Sequence, residues 1–296
     1  MSLFKLFYRG LGLTLRKHRL AFRLWAINFL FALLITAPAA FLLVGHAGHS
    51  LSAESILKKL DVHWLTDLSS RFLDAAPAVI GLLIAAACLY LLLAVFLNGA
   101  IIGCLIRPGA RTTLADFFHD GGLYFWRFFR LILFSIPVYL LALAIFFPFL
   151  RILLEPLQRR ATTEWPVLVA GNARILFLLL LLGLVSMFFD YVKIGLATSG
   201  RRSVLKEAWL TLKFLRQRFF PAWGLYLLAG LAFILLTWFY LEVARLLPKD
   251  RPWLVLVFFL WQQLYILGRQ FSKVLFFTTE IEFAKRFRNP DAEKIK

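Results

Sequence analysis

Cysteine and acid are both scarce in this chain. Two cysteines, Cys88 and Cys104, occur among 296 residues, and both fall in or beside one apolar stretch. That excludes a disulfide framework and a cysteine-based metal motif. Acidic residues number 16 against 34 Lys and Arg, for a formal charge of +18. In a soluble protein such a balance would point to nucleic acid. Here charged residues make up only 17% of the chain while 61% is hydrophobic, too little polar sequence to clothe six apolar stretches in water.

Catalytic signatures are missing too. No histidine lies within a spanning stretch, and the H-E-x-x-H that would hold a metalloprotease zinc on a helix does not occur. Ala197, Thr198, Ser199 and Gly200 approach the G-x-S-G turn of a rhomboid-like protease but lack its first glycine and its histidine partner. There is no phosphate-cradling glycine loop. His46, His49, Asp61 and His63 have no ligand geometry behind them and are not assigned as a metal site. The chain is therefore expected to be non-enzymatic, with no cofactor and no nucleic-acid partner.

Six runs free of Asp, Glu, Lys and Arg dominate what is present: Leu24 to Ala53, Ala75 to Ile106, Leu131 to Leu150, Ile175 to Phe189, Phe219 to Leu241 and Pro252 to Gly268. Crossing a hydrocarbon core takes about 20 residues of apolar helix. The fourth and sixth runs are short, but each continues as apolar sequence past charges that can snorkel, Asp190 and Lys193 in one and Arg269 and Lys273 in the other. A barrel needs alternating segments of about 10 residues, whereas these runs are continuous and rich in Leu, Ala and Phe. The expectation is an all-α, polytopic membrane protein forming a single domain over residues 1–296. Its spans lie near 24–44, 77–100, 131–150, 175–197, 221–241 and 252–276. The first run exceeds a signal-peptide core of roughly 7 to 15 residues and is expected to stay as a spanning helix.

Basic residues orient it. The amino-terminal segment, the second and fourth connections and the carboxy-terminal tail hold 24 of the 34 Lys and Arg, while the acidic residues divide evenly, giving +16 on one side and +2 on the other. The positive-inside rule places both termini in the cytoplasm of a bacterial-type inner membrane.

Those basic connections carry helical periodicity. Residues 112–130 place Leu114, Phe117, Phe118, Gly121, Tyr124, Phe125, Phe128 and Phe129 at i, i+3, i+4 spacing, which predicts an interfacial helix bent at Gly121 and Gly122. Between Arg201 and Phe220, Val204, Leu205, Ala208, Trp209, Leu212 and Leu215 form an apolar face. Arg202, Lys206, Lys213, Arg216 and Arg218 surround it, as in helices that lie among anionic lipid head groups. The first twenty residues repeat the pattern more weakly, and Ile56 to Phe72 predicts an outer surface helix. These amphipathic helices complete the fold class.

At an offset of 91, Arg111, Leu114, Asp116 and Arg127-Phe128-Phe129 match Arg202, Leu205, Glu207 and Arg218-Phe219-Phe220. One explanation is shared composition. The other is three parallel helical-hairpin repeats, each a basic surface helix leading into an outgoing and a returning span. With a shift of one more residue, Asn98 corresponds to Asp190, and Asn98, Asp190 and Lys193 become the candidate polar lining, because polar groups in spanning helices are costly unless paired or wet. Pro38, Pro137 and Pro148 sit inside spans, where each removes a backbone hydrogen bond.

The Arg202-Ser203-Val204-Leu205-Lys206-Glu207-Ala208-Trp209 stretch and the six Phe-rich and Leu-rich helices resemble bacterial YciC-like proteins and the membrane region attached to some glycerophosphodiester phosphodiesterases. The resemblance implies a fold. The phosphodiesterase domain and its catalytic motifs are absent, so no activity carries over. A transport or lipid-handling role is expected, with a membrane scaffold or accessory subunit as the alternative, and membrane-protein partners would fit either. Green fluorescent protein fused after Lys296 should fluoresce, and alkaline phosphatase fused there should be inactive. The opposite pair of results would reverse the orientation.

Overall fold

A computed structural model describes residues 3–47, 62–107, 109, 112–159, 164–200, 203–247 and 252–288. They form eight helices and, among the described residues, no strand: α1 (Leu3–Arg16), α2 (His18–Ala47), α3 (Val62–Ile106), α4 (Leu114–Arg159), α5 (Glu164–Ser199), α6 (Val204–Gln217), α7 (Phe219–Leu246) and α8 (Pro252–Arg288). All but α1 and α6 are long and apolar enough to cross a membrane, the six spanning helices expected. Large apolar side chains along them are exposed, Leu140, Ile145, Leu179, Ile234 and Leu260 among them. Such a surface suits hydrocarbon rather than water. Six helices of this kind make the chain an integral membrane protein.

Packing divides the described chain into two compact units, residues 22–94 and the remainder. In the smaller, α2 and α3 meet through Phe31 and Tyr90, whose ring centroids are 5.7 Å apart. Asn28 and Thr36 satisfy their side chains within α2, donating to the carbonyls of Leu24 at 2.7 Å and Ala32 at 2.7 Å.

The larger unit holds α1, the end of α3 and α4 to α8. Two of the expected surface helices are separate elements, α1 and α6. The third is not. Residues 114–130 run unbroken into the span as α4, and Gly121 is a packing site rather than a bend: a Cβ there would stand 2.5 Å from the Phe96 ring. A proline explains the difference. Pro221 lies in the first turn of α7, where its missing N–H costs nothing, but in a continuous helix its ring would strike the carbonyl of Gln217. The helix accordingly breaks at Arg218, with φ −130° and ψ 30°. At the offset of 91, Arg130 stands where Pro221 does, so α4 has no reason to break. The outer surface helix expected over Ile56 to Phe72 is likewise not separate where it is described, since Val62 onward belongs to α3; residues 48–61 lie outside the described residues.

Caps set the starts. Thr113 Oγ1 accepts from the Asp116 amide at 3.1 Å, and the Thr113 amide donates back to Asp116 Oδ2 at 2.8 Å, a reciprocal capping box. Ser203 Oγ accepts from the Lys206 amide.

Two of the surface segments seat on the end of the span before them, and α1 seats on the last span. Segment 114–130 packs on α3, where Gly99 faces Gly121 and Tyr124 and Gly103 faces Asp120. Gly99 and Gly103 form a G-x-x-x-G seam that lets the backbones approach. Segment α6 turns Val204, Glu207, Ala208, Thr211 and Leu215 inward, and Ser199 of α5 donates to Glu207 at 3.3 Å. In the same way α1 closes on α8: Gly10 meets Thr279, and the Thr14 and Thr278 hydroxyls are 2.8 Å apart. Lys17, in the turn after α1, donates to the Cys104 carbonyl at 2.6 Å, and burial pushes its ammonium below the ordinary lysine range.

A Cβ at Gly10 would lie 2.4 Å from Thr279 Cγ2 and 3.2 Å from its Cα, whereas Gly12 has open space. Gly10→Val should destabilise the fold by about 1–3 kcal/mol. Gly12→Ala should be neutral or stabilising by up to about 1 kcal/mol. Thermal unfolding in detergent checks both.

Candidate functional site

The larger unit carries a set of ionisable side chains inside its spanning helices. Asp190 is about 13 Å along the helix from the end of α5, and Lys193 follows one turn later. The two are on one helical face, and Lys193 Nζ donates to Asp190 Oδ1 at 2.7 Å, as their spacing predicts. Little of either side chain is exposed.

The last span supplies the other half. On α8, Lys273, Phe277 and Glu280 recur at i, i+4 and i+7 and so share a face. Lys193 Nζ stands 5.9 Å from the Phe277 ring centroid, between the two charged residues of that stripe. Lys273 is within electrostatic reach of Asp190 and Lys193, and so is Glu280. Two carboxylates and two ammonium groups therefore occupy one region, with the Arg269 guanidinium one turn before Lys273 and within electrostatic reach of it.

Hydroxyl groups surround them. Ser186 of α5 lies within hydrogen-bonding reach of both Tyr139 of α4 and Tyr226 of α7. Tyr191 packs its ring against Phe214 of α6 and Phe283 of α8, with centroid separations of 6.1 Å and 6.0 Å. These contacts hold the ring but leave the Tyr191 hydroxyl without a hydrogen-bond partner, and both oxygens of Glu280 are in the same condition.

The expected lining is thus joined in part. No hydrogen bond links Asn98 to Asp190 or Lys193. Asn98 is on α3, beside the Gly99 seam, with its Oδ1 buried and unpartnered. Its neighbourhood has an ionic centre of its own, where Arg107 bonds to Asp116 and, at 2.6 Å, to the buried Asp120. Of the expected head-group contacts, Lys206, Lys213, Arg216 and Arg218 are all exposed, and Arg202 lies outside the described residues. Lys213 Nζ is 5.8 Å from the Trp209 ring centroid, and Arg218 Cζ is 5.1 Å from that of Phe287. Leu205, Trp209 and Leu212 stay exposed beside them. The apolar stripe of α6 is therefore double, one half packed on α5 and the other facing outward. His49 and Asp61 lie outside the described residues, and no group of metal-ligating side chains occurs among the described ones.

Glu280 and Tyr191 escaped the sequence reading. Glu280 sits among residues that count as the basic tail, and the signal that finds it is its helical register with Lys273 and Phe277.

Lys193→Met leaves the Asp190 carboxylate buried without its counter-ion and should cost about 3–5 kcal/mol, most of it recovered in the Asp190→Asn, Lys193→Met double variant. A double-mutant cycle by denaturant unfolding in detergent measures the difference. Compared with protein families, curated proteins and solved structures, this chain matches none.

Proposed function

We propose that this chain is a non-enzymatic protein of a bacterial-type inner membrane, with both termini in the cytoplasm, that transports or handles an amphiphile with an anionic head group. The observation that carries this is the charged cluster Asp190, Lys193, Lys273 and Glu280 within spanning helices. Charged groups at membrane depth are costly, and they mark substrate or ion pathways when retained. The exposed basic residues of α6 would draw anionic heads to the surface, each contributing about 1 kcal/mol near the membrane. Leu205, Trp209 and Leu212 would anchor that helix among the lipids.

The repeat supports the same reading. Segment 114–130 and α6 each seat on the end of the preceding span, and α1 closes on the last one, the contacts a repeated unit of surface helix and hairpin would make. The resemblance to YciC-like proteins adds an expectation of fold and no activity.

In liposomes containing anionic lipid, the purified protein should accelerate flux of a labelled anionic lipid. Asp190→Asn with Lys193→Ala should slow it roughly tenfold, equivalent to about 1.4 kcal/mol on the barrier. An unchanged rate would remove these residues from the path.

A further inference from the structure

Glu280 is 1% exposed, and neither carboxylate oxygen has a hydrogen-bond partner. A buried ionised carboxylate in that condition is strongly disfavoured unless a proton or cation reaches it. Lys193 does not supply the remedy, because it is committed to Asp190 at 2.7 Å. Tyr191, 1% exposed, also presents an unpartnered hydroxyl, on a ring packed against Phe283 less than one helical turn from Glu280.

The surroundings are well defined. Asp190, Tyr191 and Lys193 face Glu280 electrostatically from α5, and Tyr226 does so from α7. Helix α1 meets this part of α8 through Gly10 and Thr14, and α6 meets it through Phe214, none of which titrates. On α8 itself, Lys273 reaches Asp190 and Lys193, and the Arg269 guanidinium reaches Lys273. The site lies about 10 Å along the helix from the end of the last span, on the side of the surface helices.

We propose that Glu280 is an intramembrane proton-binding site that couples proton uptake to binding of an anionic head group. A proton from water on the side of the surface helices forms an O–H bond on one Glu280 oxygen, and nothing is oxidised or reduced. Protonation raises the charge of the Asp190, Lys193, Lys273 and Glu280 set by one, so the protonated form attracts an anion more strongly than the other does. The coupling rests on the proposed transport role. The proton site does not.

The two parts are tested separately. Infrared difference spectra of the full chain in nanodiscs, titrated with pH, should show a protonated-carboxyl band that shifts with carbon-13 glutamate and not with carbon-13 aspartate. The band should vanish in Glu280→Gln, persist in Glu207→Gln and move its midpoint in Tyr191→Phe. Labelling is read on the native chain, so a misfolded variant does not obscure it; no titrating glutamate band, or one lost only in Glu207→Gln, overturns the site. Flux of anionic lipid in liposomes should rise as pH falls in the native protein and be pH-independent in Glu280→Gln. A retained pH profile in that variant overturns the coupling. Absent flux with a titrating Glu280 band would instead overturn the transport role and leave the proton site standing.

Discussion

Lys193 and Asp190, 2.7 Å apart on one turn of α5, set the terms for the middle of the larger unit. An ammonium inside a spanning helix is costly without a counter-ion, and i, i+3 spacing provides one within a single helix. Once paired locally, the two residues can face neighbours that carry more charge. The stripe of Lys273, Phe277 and Glu280 on α8 is placed against them, with the Phe277 ring beside the Lys193 ammonium. The aromatic contacts of Tyr191 with Phe214 and Phe283 then tie α5, α6 and α8 together at the same level.

Close backbone approach is the second constraint. In lipid, burial of apolar surface does not drive one helix onto another, so small residues and hydroxyls carry the packing. Gly99 and Gly103 on α3, Gly121 on α4 and Gly10 against Thr279 supply that at two of the three seams, and Thr14 with Thr278 adds a hydroxyl pair. At the third, α6 relies on Ala208 and Val204 with the Ser199 to Glu207 hydrogen bond. The seams differ in chemistry but do the same thing, seating a surface segment on the end of a span and leaving a second apolar edge outward. On α6 that edge is Leu205, Trp209 and Leu212, flanked by exposed lysine and arginine.

Length, hydropathy and charge bias alone were enough to reach six spanning helices, the separate α6, and the pairing of Asp190 with Lys193, because each depends on residues within one or two turns of each other. Local chemistry also held the information that α4 is continuous while α6 and α7 are split, in the proline at 221 that has arginine as its counterpart at 130. The partners of Lys193 beyond its own helix, the isolation of Glu280 and Tyr191, and the separation of Asn98 from the charged pair came only with the assembled helices. Helical periodicity reports which residues share a face but not which face of which neighbour it meets. In a chain whose helices are apolar all round, that choice belongs to glycine seams, hydroxyl pairs and aromatic contacts between segments distant in sequence.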